Sequence, residues 1–169
     1  MRKAVMPFVL SMGLIAVWAV PADAASTRAE YIAQVDPICA TYVGPENDAS
    51  KGFIKNAKRL GRVGNSGNTK AFVRQVKRTA GSLNRLAQID LALNDQIAAV
   101  PPPAADAATI GAWLDGRKQA DGLLASAASA LGHFKSRLFL KRFKRTFAVN
   151  DAANELVSGF GFQVCGVSV

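Results

Sequence analysis

Two cysteines, Cys39 and Cys165, stand near opposite ends of a 169-residue chain, and there are no others. Whatever fold forms must either keep these thiols apart or tie the two ends together, and the N-terminus bears on the choice. Arg2 and Lys3 precede an apolar run from Ala4 to Val20, and Pro21-Ala22-Asp23-Ala24 adds a helix breaker with small residues at cleavage spacing. This is the pattern of a secretory signal peptide. A membrane anchor would need roughly 20 apolar residues in a row, and Pro7, Ser11 and Gly13 interrupt this one. Ala22 and Ala24 therefore predict a leader over 1–24 and a released, not lipid-anchored, mature chain over 25–169. Thiols oxidise outside the cytoplasm, so one disulfide between Cys39 and Cys165 is expected. Closing so long a loop would stabilise the fold by about 4–5 kcal/mol on the chain-entropy account. A metal centre is the weaker alternative, because two distant cysteines and the lone His133 are too few ligands. No motif for a cofactor is present either.

The segment 25–169 has the length of a single domain. Its apolar periodicity predicts helices throughout. Thr27 and Glu30 have capping-box spacing, and Ile32, Val35, Ile38, Cys39 and Tyr42 follow at helical intervals. Pro37 is expected to kink or split this helix, and Gly44-Pro45 to end it. A second helix is predicted from about Asn47 to Gly61, then a loop over 64–68. The third and longest runs from about Thr69 to Ala99, with Phe72, Val76, Thr79, Leu83, Leu86, Asp90, Leu93 and Ile97 forming a bundle seam. Pro101-Pro102-Pro103 stops it. A fourth helix is expected over about 106–131, with Ile110, Trp113, Leu114, Leu124 and Leu131 inward. A fifth covers about 135–158, presenting Phe139, Leu140, Phe143, Phe147 and Val157 to the core, before a short extended tail. No useful strand alternation and no fixed-period repeat is visible. The fold class is thus all-α, an up-and-down bundle of four to five helices closed by one disulfide.

Charge is unevenly placed. The chain carries a net +9, which becomes +8 once Arg2, Lys3 and Asp23 leave with the leader. Ten basic residues and no acid lie between Lys51 and Arg85. On a helical wheel Lys51, Lys55, Lys58, Arg59 and Arg62 share one stripe opposite Phe53, Ala57 and Leu60. Lys70, Arg74, Lys77, Arg78 and Arg85 do the same opposite Phe72, Val76 and Leu83. As antiparallel neighbours the two helices would merge these stripes into one cationic face. Compositional bias alone also fills a solvated face with arginine, so the bland reading stands beside the functional one. The functional reading is attachment to an anionic envelope polymer or an anionic lipid surface. Nucleic acid is disfavoured, because no aromatic side chains interleave with these bases. Lys135 to Arg145 adds six more cations, of which Lys141 and Arg145 would extend the face.

Catalytic chemistry finds little footing. Glu30, Glu46, Glu155, Asp115 and Asp121 are the acids from which a glycosidase pair would come, and no spacing selects two of them. Asp151 and Glu155, four apart, read as a solvated face. His133 beside Gly132 reads as a surface turn residue, with no nucleophile elbow or phosphate loop to serve it. Trp113 reads as core. Three polar residues fall on apolar faces, Asp90 in the third helix and Asn150 and Asn154 in the fifth. They are expected to form a buried polar cluster that sets register, to be exposed where the bundle frays, or to line a small polar pocket.

The stretch from Ala29 to Ala40, with Asp36 and Cys39 three apart, and the tail Gly159-Phe160-Gly161-Phe162-Gln163-Val164-Cys165-Gly166 resemble a group of exported helical proteins of high-GC Gram-positive bacteria. That group has an early Asp-x-x-Cys helix and a late glycine-aromatic-x-x-cysteine-glycine tail. Phe160 stands here where many of its members have tyrosine. The resemblance supports the cysteine pairing and implies no activity. The expected function is a non-enzymatic, monomeric, secreted module binding anionic polymers. The alternatives are a carrier of a small apolar or lipid ligand in the bundle core, and an envelope hydrolase.

Overall fold

The structure, a computed structural model, describes residues 27–166. The expected leader and its cleavage residues Ala22 and Ala24 lie outside the described residues. Four helices follow in order: α1 (Arg28–Gly64), α2 (Thr69–Ala98), α3 (Ala107–Gly132) and α4 (Ser136–Glu155). Each packs against its neighbour in sequence, α1 on α2, α2 on α3 and α3 on α4. The fold is an all-α bundle. Among the described residues no helix is long and apolar enough to cross a membrane.

The expected first and second helices are one. α1 runs unbroken through Pro37 and Pro45, and the reason is where the prolines point. Both are exposed, and so are Ala33 and Thr41, whose carbonyls lose the proline N–H partners they would have had four residues on. Carbonyls on the solvent side need no partner from within the protein. The buried stripe of Tyr31, Val35 and Cys39 continues the helix on the other side. At its start the capping box forms as the spacing requires: Thr27 Oγ1 accepts from Glu30 N at 3.2 Å, and Thr27 N donates to Glu30 Oε2 at 3.0 Å. Asn68 caps α2 by accepting from Ala71 N at 2.9 Å.

The seams differ in tightness. α3 and α4 approach so closely at Gly116 that a Cβ there would sit 2.7 Å from the Ala153 Cβ. α1 and α4 are bridged only by side chains, among them the Phe53 and Phe143 rings 5.9 Å apart. With no backbone neighbour on that flank, Leu140 and Phe147, expected inward, are instead left about half exposed.

Cys39 and Cys165 are joined, with Cα atoms 5.5 Å apart. The expected extended tail is instead a series of turns after Glu155, and its composition explains them. Gly161 and Gly166 hold φ of +104° and +68°, which side chains with a Cβ resist. Between them Phe162 stacks on Trp113 at 5.3 Å, and just before them Phe160 meets Tyr31 edge-on at 6.3 Å. Asp36, one turn before Cys39, accepts from three tail amides: Gln163 N at 2.8 Å, Cys165 N at 3.0 Å and Val164 N at 3.2 Å. An aspartate three residues before the cysteine therefore orders the tail amides beside the disulfide. Arg28 closes the same end on Asp106, at 2.6 and 3.2 Å, with its guanidinium 4.4 Å above the Phe160 ring.

Candidate functional site

Two arrangements of charge stand out, one outside and one within. On the outside, all ten predicted basic residues are exposed: Lys51, Lys55, Lys58, Arg59 and Arg62 on α1, and Lys70, Arg74, Lys77, Arg78 and Arg85 on α2. Their helices are adjacent and antiparallel, locked by Gln75 Nε2 donating to Asn56 O at 3.0 Å. Between them lies a groove of about 260 Å³ lined by Arg59, Val63, Ala71, Arg74, Gln75 and Arg78. Three of the ten thus converge on one concavity that contains no acid. Guanidinium groups present planar forks of donors suited to phosphate and carboxylate oxygens. Lys141 and Arg145 are exposed on α4.

Within the bundle the polar residues form a layer the sequence reading only partly located. Asp90 is half-buried on α2, as its seam position suggested. Its partners, however, are Glu46 of α1 and Asp121 and Arg117 of α3. Asn154 instead accepts from Trp113 Nε1 at 3.2 Å, and Asn150 is half-buried on α4. Asp90 thus has its partners on α1 and α3, and Asn154 has its own on α3, with Trp113 and Arg117 standing between the two. Asn94, buried beside Asp90 on α2, is the hub: its Nδ2 donates to Asp121 Oδ2 at 2.6 Å, and its Oδ1 accepts from Arg117 Nε at 2.6 Å. Arg117 also lies 5.5 Å from the centre of the Trp113 ring.

One guanidinium faces three carboxyls here, and burial raises the cost of every charge. Desolvation, reinforced by Asp121 and Glu46 and opposed by Arg117, pushes Asp90 up to about 7. Burial pushes Asp121 to about 6 against the pull of Arg117 and the Asn94 amide. Glu46 is also raised by burial, against Arg117 and the hydrogen bond it receives from Asp90. The layer separates two apolar clusters. One contains Tyr31, Val35, Leu93, Ile97, Ile110 and Trp113 with the disulfide, and the other Leu83, Ala87, Leu124, Ala127 and Ala128.

A comparison of the chain with protein-family models, curated proteins and solved structures finds no match. The geometry therefore carries the functional reading. Among the described residues no group of three or more His, Cys, Asp or Glu side chains is placed to hold a metal ion. His133 is exposed at the end of α3, its Nδ1 2.8 Å from Ser129 O. Arg117, Asn94 and Glu46 were missed because their partners lie on other helices. The signal for two of them was helical spacing from seam positions, Asn94 four residues after Asp90 and Arg117 four after Trp113, and Glu46 has no such signal.

Proposed function

We propose that this chain is an exported, non-enzymatic module that attaches to an anionic polymer of the cell envelope through the basic face of α1 and α2. The observation that carries the reading is the convergence of Arg59, Arg74 and Arg78 on one groove with no acid in its lining. A face that is merely solvated has no need to gather three guanidinium groups around a concavity. The seven remaining cations flank that groove along the same two helices. They give the field that draws in a polyanion and the secondary charges that hold it. The carrier alternative gains nothing from the interior, where Trp113, Tyr31, Leu83, Ile97 and Ile110 fill the core positions.

Binding of the purified protein to envelope material across a salt series tests this. Affinity should fall steeply with salt, because each neutralised phosphate releases a counterion. Changing Lys55, Lys58, Arg74 and Lys77 to Gln should flatten the log–log slope by about 0.7–0.9 for each phosphate left without its cation. Equal binding by both proteins would reduce the charge to solvation.

A further inference from the structure

A second cationic surface lies apart from the groove, and it differs in kind. From Gly122 to Asn150 the chain contains no acid, and six lysines and arginines occupy 135–145. This stretch exposes three large apolar side chains among its cations, Phe134 at 51%, Leu140 at 52% and Phe147 at 53%, where the α1–α2 face exposes one, Ile54 at 47%. Leu140 and Phe147 are seven residues apart, two turns or about 10 Å along α4, so they share a stripe. Lys144, Arg137 and Lys141, also exposed, follow one another along one side of that stripe on the helical wheel, on the side away from the buried face.

Phe134, in the turn that leads into α4, is held under strain, with its ring 6.4 Å from that of Phe72 on α2. It has φ of +61°, the only positive value outside glycine among the described residues. Its amide donates to Leu131 O, and Lys135 N donates to Ala130 O, both at 2.9 Å. This is a helix-ending turn whose left-handed position is usually glycine. A phenylalanine kept exposed in that position is an outlier of the sort that marks a working surface.

We propose that the Leu140–Phe147 stripe on the open flank of α4, with Phe134 at its head, rests on an anionic bilayer surface. Phe134, Leu140 and Phe147 would enter the headgroup boundary, and Arg137, Lys141 and Lys144 would meet lipid phosphates. An amphipathic helix with Phe and Leu bordered by Lys and Arg has the chemistry of an interfacial binder. A second copy of the chain does not fit. A two-fold contact would set the same cations against each other. A soluble polyanion offers nothing to the three apolar side chains. The proposal is independent of the α1–α2 reading, since it uses different residues and a different property.

The test compares sedimentation of the protein with phosphatidylglycerol/phosphatidylcholine vesicles, with phosphatidylcholine vesicles alone, and retention on immobilised polyphosphate. The wild type should bind the anionic vesicles and not the zwitterionic ones. Leu140→Gln with Phe147→Gln, at exposed positions, should weaken vesicle binding at least about tenfold while leaving polyphosphate retention unchanged. The Gln variant of Lys55, Lys58, Arg74 and Lys77 should show the reverse. F147W should give a blue-shifted emission on anionic vesicles. No vesicle binding by the wild type, equal binding to both vesicle types, or full binding by the Leu140/Phe147 variant would each overturn the proposal. None of these results bears on polyphosphate retention, which tests the other face.

Discussion

At the end of the bundle where the described chain starts and finishes, α1 is fastened to the tail by Cys39–Cys165, by three amides on Asp36 and by the aromatic group of Tyr31, Phe160, Phe162 and Trp113. At the other end, two loops turn without a cross-link, Phe72 and Phe134 meet at 6.4 Å, and the cations of α1, α2 and α4 gather. The polar layer around Asn94 lies between them. Cross-links and buried rings concentrate where the surface offers little to a ligand, and exposed charge and strain concentrate where the cross-links are missing. Cross-linking and exposed charge thereby occupy different ends, and changes at one end need not disturb the other.

The largest expected effect comes from opening the closed end. Cys39→Ser with Cys165→Ser releases a link spanning 126 positions, which should cost about 4 kcal/mol, within a range of roughly 2–5 for native disulfides. Denaturant unfolding measures the loss. Hydrogen exchange locates it: amides of the tail and of the first turns of α1 should lose protection first, while the α2–α3 contact around Leu83 and Leu124 keeps its own. Uniform loss of protection would show that the two ends are one cooperative unit and that the contrast is only topographic.

The layer between the ends should give an intermediate effect with a definite sign. Asp90 at about 7 and Asp121 at about 6 lie well above the roughly 3.9 of an unfolded aspartate. Between those values the folded protein holds protons that the unfolded chain has released. Stability is therefore fullest below about pH 4 as far as these groups are concerned, and it falls as pH rises to about 7. The drop should be visible as a lower melting temperature at pH 8 than at pH 5. Asp106, lowered chiefly by its hydrogen bond from Arg28, acts in the opposite direction but only in more acid solution. Asp90→Asn removes the largest of the raised groups and should flatten the profile between pH 5 and 8. An unchanged slope would mean that the layer is hydrated enough to stay charged.

How much of this was readable in advance depends on whether a signal lies within one helix or between two. The capping box at Thr27, the seam of α2 and the placement of all ten cations are properties of a single helix, and period 3.6 exposes them. The continuity of α1 was readable in principle. Pro37 falls opposite the stripe of Tyr31, Val35 and Cys39, where a missing N–H faces water, but the helix-breaker rule says nothing of direction. Asp90 was recognisable as a polar residue on an apolar face. Its partner Glu46 was not, because only the pairing of α1 with α2 brings them together. The exposure of Leu140 and Phe147 follows from the open α1–α4 seam, and no feature of α4 taken alone distinguishes an apolar stripe that is covered from one that is bare.

The smallest effect concerns the open end, where stability and binding should move in opposite directions. A non-glycine residue at the φ of Phe134 costs about 1–2 kcal/mol, and Phe134→Gly relieves that. Two opposing effects take part of it back. The half-exposed ring packing against Phe72 accounts for about 0.5 kcal/mol, and the extra freedom of glycine in the unfolded chain for about 0.5 more. A net gain of about 0.5 kcal/mol should remain, read as a rise of about 1–2 °C in melting temperature. The same variant should bind anionic vesicles more weakly, because the side chain that heads the α4 stripe is gone. A side chain that weakens the fold while strengthening attachment is what the proposed bilayer contact of Phe134 requires. If Phe134→Gly lowers the melting temperature instead, the ring packs better than its exposure indicates, and the open end is more tightly held than the contrast with the disulfide end allows.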